Sequence, residues 1–358
     1  MPFRLREPLQ LKNQTAASSM RTWIFGVATL VVATLLTLVG AEAIARTALA
    51  VRQTRPPLDD GLPVLQEPDE VLGWRNKAGS VVWPGRGEDG GKDIRMTFWA
   101  DGLRATAPAP ELDRPQVVVI GCSYTQGWAV TDAETYPWRL QAEFPSHAFL
   151  NFGTAGYGTY QSLLALERYF AAGHDSPALV IYGFIDYHEE RNVAPAGWLK
   201  ALATASRAGT LSVPFVSIGA DGNLERHRLD RANSWPLRSH LASVAAIEDR
   251  VLEFRTRGRL EQRRQATDRL LLELQRVTRD HSSDLLVAIL ESRDEAKEHV
   301  VTFAAQKGIE AVDCTVPNQD ELQVPGYSHP DRRINAHWAE CIGDRVRGHL
   351  SPSAGDAK

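Results

Sequence analysis

The chain has 358 residues, 43% hydrophobic and 23% charged, proportions of an ordinary globular protein of one large or two modest domains rather than of a disordered tail. A net charge of -4 leaves no excess of cation to neutralise phosphates, which argues against nucleic acid as a partner. Three cysteines, Cys122, Cys314 and Cys341, form no CxxC pair, zinc-ligand spacing or dense disulfide framework, so burial must carry stability.

From Thr22 to Ala41 no residue is charged. This run is about 30 Å long as a helix, enough to cross a bilayer. Arg4, Arg6, Lys12 and Arg21 precede it against a single acid, Glu7, a bias that places the N-terminus in the cytoplasm. The expected layout is a cytoplasmic segment over 1–21, a transmembrane anchor over 22–45 in the inner membrane, and an extracytoplasmic remainder. A secreted protein with a cleaved signal peptide is the alternative, since Ala41-Glu42-Ala43 and Ala48-Leu49-Ala50 fit a small-x-small cleavage pattern.

Residues 46–110 form a linker and N-terminal extension; Arg55 to Asp93, rich in Pro, Gly and charge, reads as linker and peripheral turns. In Leu72-Gly73-Trp74 and Asp101 to Arg104, Trp74 and Trp99 supply anchors for a strap packed over a sheet edge. The main domain, 111–350, opens with a buried strand at Gln116 to Ile120. A helix from Thr131 to Phe144, a strand at Ala148 to Phe152, a helix from Tyr160 to Phe170 and a strand at Ala178 to Phe184 follow. An insertion near 193–260 contains a hairpin about Asp221-Gly222, and helices are expected over Pro236 to Phe254 and Gln262 to Asp280. Strand Asp284 to Leu290, helix Asp294 to Lys307, strand Gly308 to Asp313 and helix Arg333 to Arg347 complete the domain, and 351–358 is a tail. This alternation predicts an α/β fold, a three-layer α/β/α sandwich on a flavodoxin-like parallel sheet, preceded by one transmembrane helix.

In such sheets ligands sit beyond the carboxyl ends of the strands. Ser123 stands there after the first strand, as a nucleophile if a base is near and otherwise as a helix cap. The turn from Asn151 to Gly158 frees main-chain N–H groups that suit an oxyanion, or serves as plain turn chemistry. It is not a dinucleotide fingerprint, because position 161 is Gln161. His329, held by Pro330 in a loop before the last helix, is the base candidate, with His188 and His337 next. No P-loop, HExxH or EF-hand pattern occurs, so no cofactor and no metal is expected. In an oxidising compartment Cys314 and Cys341 pair across the loop that carries His329; two reduced core thiols are the alternative.

Taken together, these blocks resemble the SGNH or GDSL hydrolase superfamily over Gln116 to Arg347. Gly121-Cys122-Ser123 resembles the serine block, with cysteine in place of aspartate. Asn151 to Gly156 resembles the second block, Gly183-Phe184-Ile185-Asp186 the third, and Gly326 to Pro330 the histidine block. The resemblance implies Ser123 and His329 as catalytic residues and the N–H groups of Ser123 and Gly156 as oxyanion donors. Ile185 stands where the family has a donor asparagine, and Gly326 where it has an orienting aspartate. His188, Asn192 or Asp186 then becomes the substitute donor or base, and Asp313, Asp320 or a backbone carbonyl the orienter of His329. The implied activity is a serine esterase or O-acyltransferase acting on acyl esters, including acetyl esters of a glycan or lipid, through an acyl-serine. The alternative is a catalytically inactive SGNH-like glycan- or ester-binding protein.

Overall fold

The computed structural model describes residues 10–52, 63–84, 92–205, 211–231, 235–317 and 319–350. The expected tail and parts of the N-terminal segment and linker lie outside these residues. The chain divides into two compact units, residues 1–56 with 233–251 and residues 57–232 with 252–358.

In the first unit, helix α1 (Gln10–Arg52) contains a stretch, Met20–Thr47, long and apolar enough to cross a membrane. Trp23, Phe25, Leu30 and Leu36 on it are exposed, an arrangement suited to lipid and unfavourable in water. The hydroxyls of Thr29, Thr34 and Thr37 donate to the carbonyls four residues back, so none of them would be left unsatisfied in hydrocarbon. Glu42 accepts from the backbone N–H groups of Ala242 and Ser243 and from the Ser243 hydroxyl. It thereby caps the helix that begins at Ala242.

The second unit opens with two antiparallel pairs, β1 (Gln66–Asp69) with β2 (Gly73–Asn76) and β3 (Gly79–Trp83) with β4 (Ile94–Phe98). This corrects the reading of Arg55 to Asp93 as linker and turns. Strands of four or five residues, interrupted by Pro68, Gly73 and Gly79, give too short an alternation to stand out in sequence. Trp83, Ile94, Met96 and Phe98 from these pairs build a small core with Val130 and Val324.

Then follow β5 (Gln116–Gly121), α2 (Ser123–Gln126), α3 (Tyr136–Glu143), β6 (Ala148–Asn151), α4 (Thr159–Ala171) and β7 (Leu179–Ile185). After them come α5 (Tyr187–Val193), α6 (Ala196–Ala205) and the antiparallel pair β8 (Val213–Ile218) and β9 (Leu224–Asp230). The chain ends with α7 (Ala242–Glu261), α8 (Arg263–Asp280), β10 (Asp284–Glu291), α9 (Asp294–Lys307), β11 (Glu310–Asp313) and α10 (Arg332–Leu350). The single helix expected from Thr131 to Phe144 is broken. Asp132–Glu134 forms one 3₁₀ turn, and α3 starts afresh where the Thr135 hydroxyl accepts from the Trp138 N–H and Pro137 occupies the first turn.

The central sheet runs β6-β5-β7-β10-β11 with every pair parallel. Counting its strands by appearance gives the flavodoxin-like order 2-1-3-4-5. Each strand except the edge strand β11 is buried on both faces, and the period of two sorts its side chains. Val117, Val119, Ile181 and Leu286 pack towards Leu140 of α3 and Trp338 and Ile342 of α10. Val118, Ile120, Val180 and Val287 pack towards Leu163 of α4, Leu270 of α8 and Val300 of α9. The result is the expected three-layer α/β/α sandwich.

Cys314 and Cys341 form a disulfide, with Cα atoms 5.9 Å apart, and Cys122 is free and buried. The bridge ties the end of β11 to α10 and closes a loop of 27 residues that contains His329. Replacing both cysteines by serine is expected to lower the unfolding free energy by about 3 kcal/mol, the entropy regained by opening a loop of that length. Urea denaturation under non-reducing conditions reads this, and an unchanged midpoint would contradict it.

Candidate active site

Between β5 and β7 the connections diverge to opposite sides of the sheet, which opens a crevice at the strands' carboxyl ends. A cleft of about 550 Å³ lies there. Its walls include Ser123 just beyond β5, Ile185 at the end of β7 and Glu291 at the end of β10. The approach of β5 to β7 requires small residues. Gly121 pairs with Gly183, and a Cβ on Gly121 would lie 2.2 Å from Thr125 Oγ1 and 3.0 Å from the Gly183 carbonyl oxygen. Thr125 itself is held by the Tyr136 hydroxyl at 3.1 Å. This packing fixes the short turn that presents Ser123.

Ser123 is the first residue of α2, so its backbone N–H belongs to the helix's unpaired first turn. The chain leaves α2 through Gly127 in the left-handed region at φ 71°. Gln126, at the end of that turn, donates to Asn76 Oδ1 of β2 at 2.7 Å, and Asn76 in turn donates to the carbonyls of Gly102 and Gly153. Arg104 donates to the carbonyls of Gln126 and Val130 and pairs with Asp132. The N-terminal extension is therefore wired into the turn that carries the serine. Trp74, buried, donates to the Ala155 carbonyl at 2.8 Å, whereas Trp99 is only half-buried.

His329 lies 206 residues downstream, yet its Nε2 is 3.0 Å from Ser123 Oγ. Its loop is a tight reversal. Val324 N–H donates to the His329 carbonyl at 2.7 Å, and both Gly326 (φ 81°) and Ser328 (φ 50°) adopt left-handed backbone. Gly326 thus serves a turn that an aspartate would strain. The orienting group is a backbone carbonyl: His329 Nδ1 is 2.9 Å from the Tyr327 oxygen. A carbonyl only accepts, so Nδ1 carries the ring proton and Nε2 is left to accept from the serine hydroxyl. The imidazole is clamped by Trp128, ring centroids 4.4 Å apart, and by Tyr124 at 5.7 Å. Trp128 and Tyr327 both pack on Trp83 of β3. Burial pushes the His329 pKa down to about 4; the Tyr327 carbonyl opposes that shift and the charge of Arg191 adds to it.

The other sequence candidates fall elsewhere. His188 and Asn192, expected to point into the cleft, do not line it. One turn apart on α5, they face the α4 and α8 side of the sheet. His188 Nδ1 is 2.7 Å from the Tyr182 hydroxyl, and Asn192 bonds Thr159, Thr267 and the Tyr160 N–H. The helical period puts Tyr187, Glu190 and Arg191 on the cleft side instead. Asp186 is bonded by Arg293 Nε at 2.6 Å, and Asp313 by Thr315 and Lys297, so neither serves His329. Asp320 lies in the 3₁₀ turn Gln319–Leu322, with its side chain outside the described set. A Cβ on Gly156, at φ 86°, would lie 3.0 Å from the Trp74 ring and 3.4 Å from that of Trp198; Trp198 lines the cleft and Gly156 does not. His337 is in α10.

Sequence reasoning missed Arg191, Trp128 and Glu291. Arg191 stands in the same short string as His188 and Asn192, and its spacing of four from Tyr187 was the available signal. Among the described residues no group of three or more His, Cys, Asp or Glu is arranged to hold a metal.

Neither a scan against protein-family models nor a search of curated proteins finds a match. Among solved structures the chain is similar to a member of the lipolytic protein G-D-S-L family from Veillonella parvula DSM 2008, at 12% identity over 64% of this chain and 96% of that one, TM-score 0.34. It is similar to a carbohydrate acetylesterase family member from Sinorhizobium meliloti, at 10% identity over 66% and 100%, TM-score 0.37. A third is an acetyl xylan esterase from Butyrivibrio proteoclasticus, at 12% identity over 73% and 71%, TM-score 0.34. On its own strand order the chain has a flavodoxin-like α/β fold, with the serine at the exit of the first sheet strand and a histidine of the last loop bonded to it.

Proposed function

We propose that the protein is a serine esterase or O-acyltransferase that acts on acyl esters, including acetyl esters of a glycan or lipid, through an acyl-serine intermediate. The observation that carries this reading is the Ser123 Oγ to His329 Nε2 contact of 3.0 Å inside a cleft at the strand ends. Ser123 Oγ attacks the ester carbonyl carbon while His329 Nε2 takes its proton, and the carbonyl electron pair moves onto oxygen. The Ser123 N–H receives that oxyanion; Gly156, which the family resemblance implies as a second donor, is not among the residues lining the cleft. Collapse breaks the C–O bond, and the departing alkoxide takes the proton from His329. Water or a second hydroxyl then attacks the acyl-serine by the same steps, so hydrolysis and transfer share one intermediate.

A fluorophosphonate probe on the detergent-solubilised chain tests the reading. Labelling that disappears in Ser123→Ala supports it. Reproducible silence of the folded protein favours a catalytically inactive ester- or glycan-binding protein, for which Ile185 in the cleft and a carbonyl in place of an aspartate are the supporting observations.

A second expectation concerns pH. The base must be neutral to accept, and its pKa is held down to about 4. The acid limb of kcat/KM is therefore expected near pH 4, with a plateau through the range where an ordinary histidine titrates. An acid limb near 6.5 would contradict it.

The membrane-anchored, extracytoplasmic setting is part of the proposal. Met20–Thr47 supplies the anchor, and the Cys314–Cys341 bridge suits an oxidising compartment. An alkaline phosphatase fused after Arg55 should be active; an inactive fusion with a working cytoplasmic reporter would reverse the topology.

A further inference from the structure

We infer that Arg191 supplies a charged oxyanion donor to the cleft, taking over the task for which Ile185 has no side-chain donor to offer; the inference rests on the acyl-transfer reading above. Ile185 ends β7 and lines the cleft with an apolar side chain, so the third sequence block contributes no side-chain donor there. Helix α5 begins two residues later, and its period carries Arg191 to the same wall.

Three observations fit the guanidinium to this work. It is fixed: Nη1 donates to the Tyr157 carbonyl at 3.0 Å, and the group lies 5.0 Å over the Trp198 ring. A held guanidinium loses little freedom when it binds. It is also uncommitted. Among the described residues Arg191 has no carboxylate partner, whereas Arg104 is paired with Asp132 and Arg259 with Asp230. One of its five N–H donors goes to Tyr157, and the rest are left for an acceptor in the cleft. Finally, it shares the cleft with Ser123 and His329, where its charge adds to the burial that disfavours protonation of His329.

That field offers a remedy for the missing aspartate. In the resting site the Arg191 cation disfavours an imidazolium at His329. Once negative charge develops on the ester oxygen beside Arg191, the cation is neutralised, and His329 holds its proton more easily at the moment it must. Oxyanion and imidazolium therefore stabilise each other through Arg191 in the transition state and not in the ground state, which is the condition for raising kcat.

The test uses the full chain in detergent, p-nitrophenyl acetate as substrate and phenylboronic acid as the tetrahedral analogue on Ser123. For Arg191→Met, kcat is expected to fall about 100-fold, with KM moving less than about threefold. Boronate affinity should fall with kcat/KM, Arg191→Lys should recover part of both, and the acid limb should move up. A rise in KM at unchanged kcat, or a loss of kcat at unchanged boronate affinity, overturns the inference. If Arg191→Met does not give a cooperative thermal melt, Arg191→Lys decides: unchanged kcat and boronate affinity overturn the inference, and a joint loss supports it. Labelling of Ser123 in the unsubstituted chain separates the two levels. With labelling present and Arg191 indifferent, only this inference falls; with neither labelling nor turnover, both fall.

Discussion

His329→Ala is expected to lower turnover of an activated acyl ester by at least about 10³-fold, Ser123→Ala by as much, and the double variant no further than either alone. Non-additivity is the informative part, because a nucleophile and a base bonded at 3.0 Å act as one unit. Removing either leaves only binding and oxyanion stabilisation. His188→Gln should change kcat by no more than about twofold, since His188 bonds Tyr182 on the other side of the sheet. Its pKa is also held well below the ordinary value, by burial first and by Arg191 second. The measurement is kcat and KM on purified folded variants. Full activity in His329→Ala alongside loss in His188→Gln would move the base to His188 and sink the mechanism.

Asp132→Ala is expected to cost about 3–5 kcal/mol, the loss seen when one partner of a buried ion pair is removed. Arg104 has no exposed surface, and Asp132 is its carboxylate partner. Asp132 also accepts from the Thr97 N–H and hydroxyl at 2.8 and 2.7 Å, so the same substitution cuts β4 loose from the turn after α2. A melting point lower by roughly 10 °C follows for a domain of this size. Arg104→Met combined with Asp132→Ala should be milder than Asp132→Ala alone, because it removes the stranded charge as well. A single variant within about 1 kcal/mol of the parent in urea would show that water or a neighbouring group compensates the guanidinium.

The sheet was legible because each of its main strands is a short apolar run that meets a helix of clear period, as at Gln116–Gly121, Leu179–Ile185 and Asp284–Glu291. The four strands of the extension were not legible, since their registers depend on pairing across loops. At α5 the apolar strand runs straight into Tyr187 with one residue between. A one-residue uncertainty in where the helix starts is enough to exchange His188 and Asn192 for Glu190 and Arg191 as the cleft-facing set. The residues Ser123 and His329 could be named from their blocks, but the partner of His329 Nδ1 could not: it is a main-chain oxygen, and every residue has one.

The stacking of Trp83 on Tyr327, with Trp128 edge-on to both, determines where the polypeptide can be shortened. A soluble fragment begun near residue 111, where the globular pattern becomes obvious, would discard Trp83, Asn76 and Arg104 together. The histidine loop would lose the ring it rests on, and the serine turn would lose its outer hydrogen bonds. A fragment begun just before Leu65, the buried residue whose carbonyl receives the Lys77 N–H, keeps all three. Such a fragment leaves out helix α1 and retains Ser123 and His329.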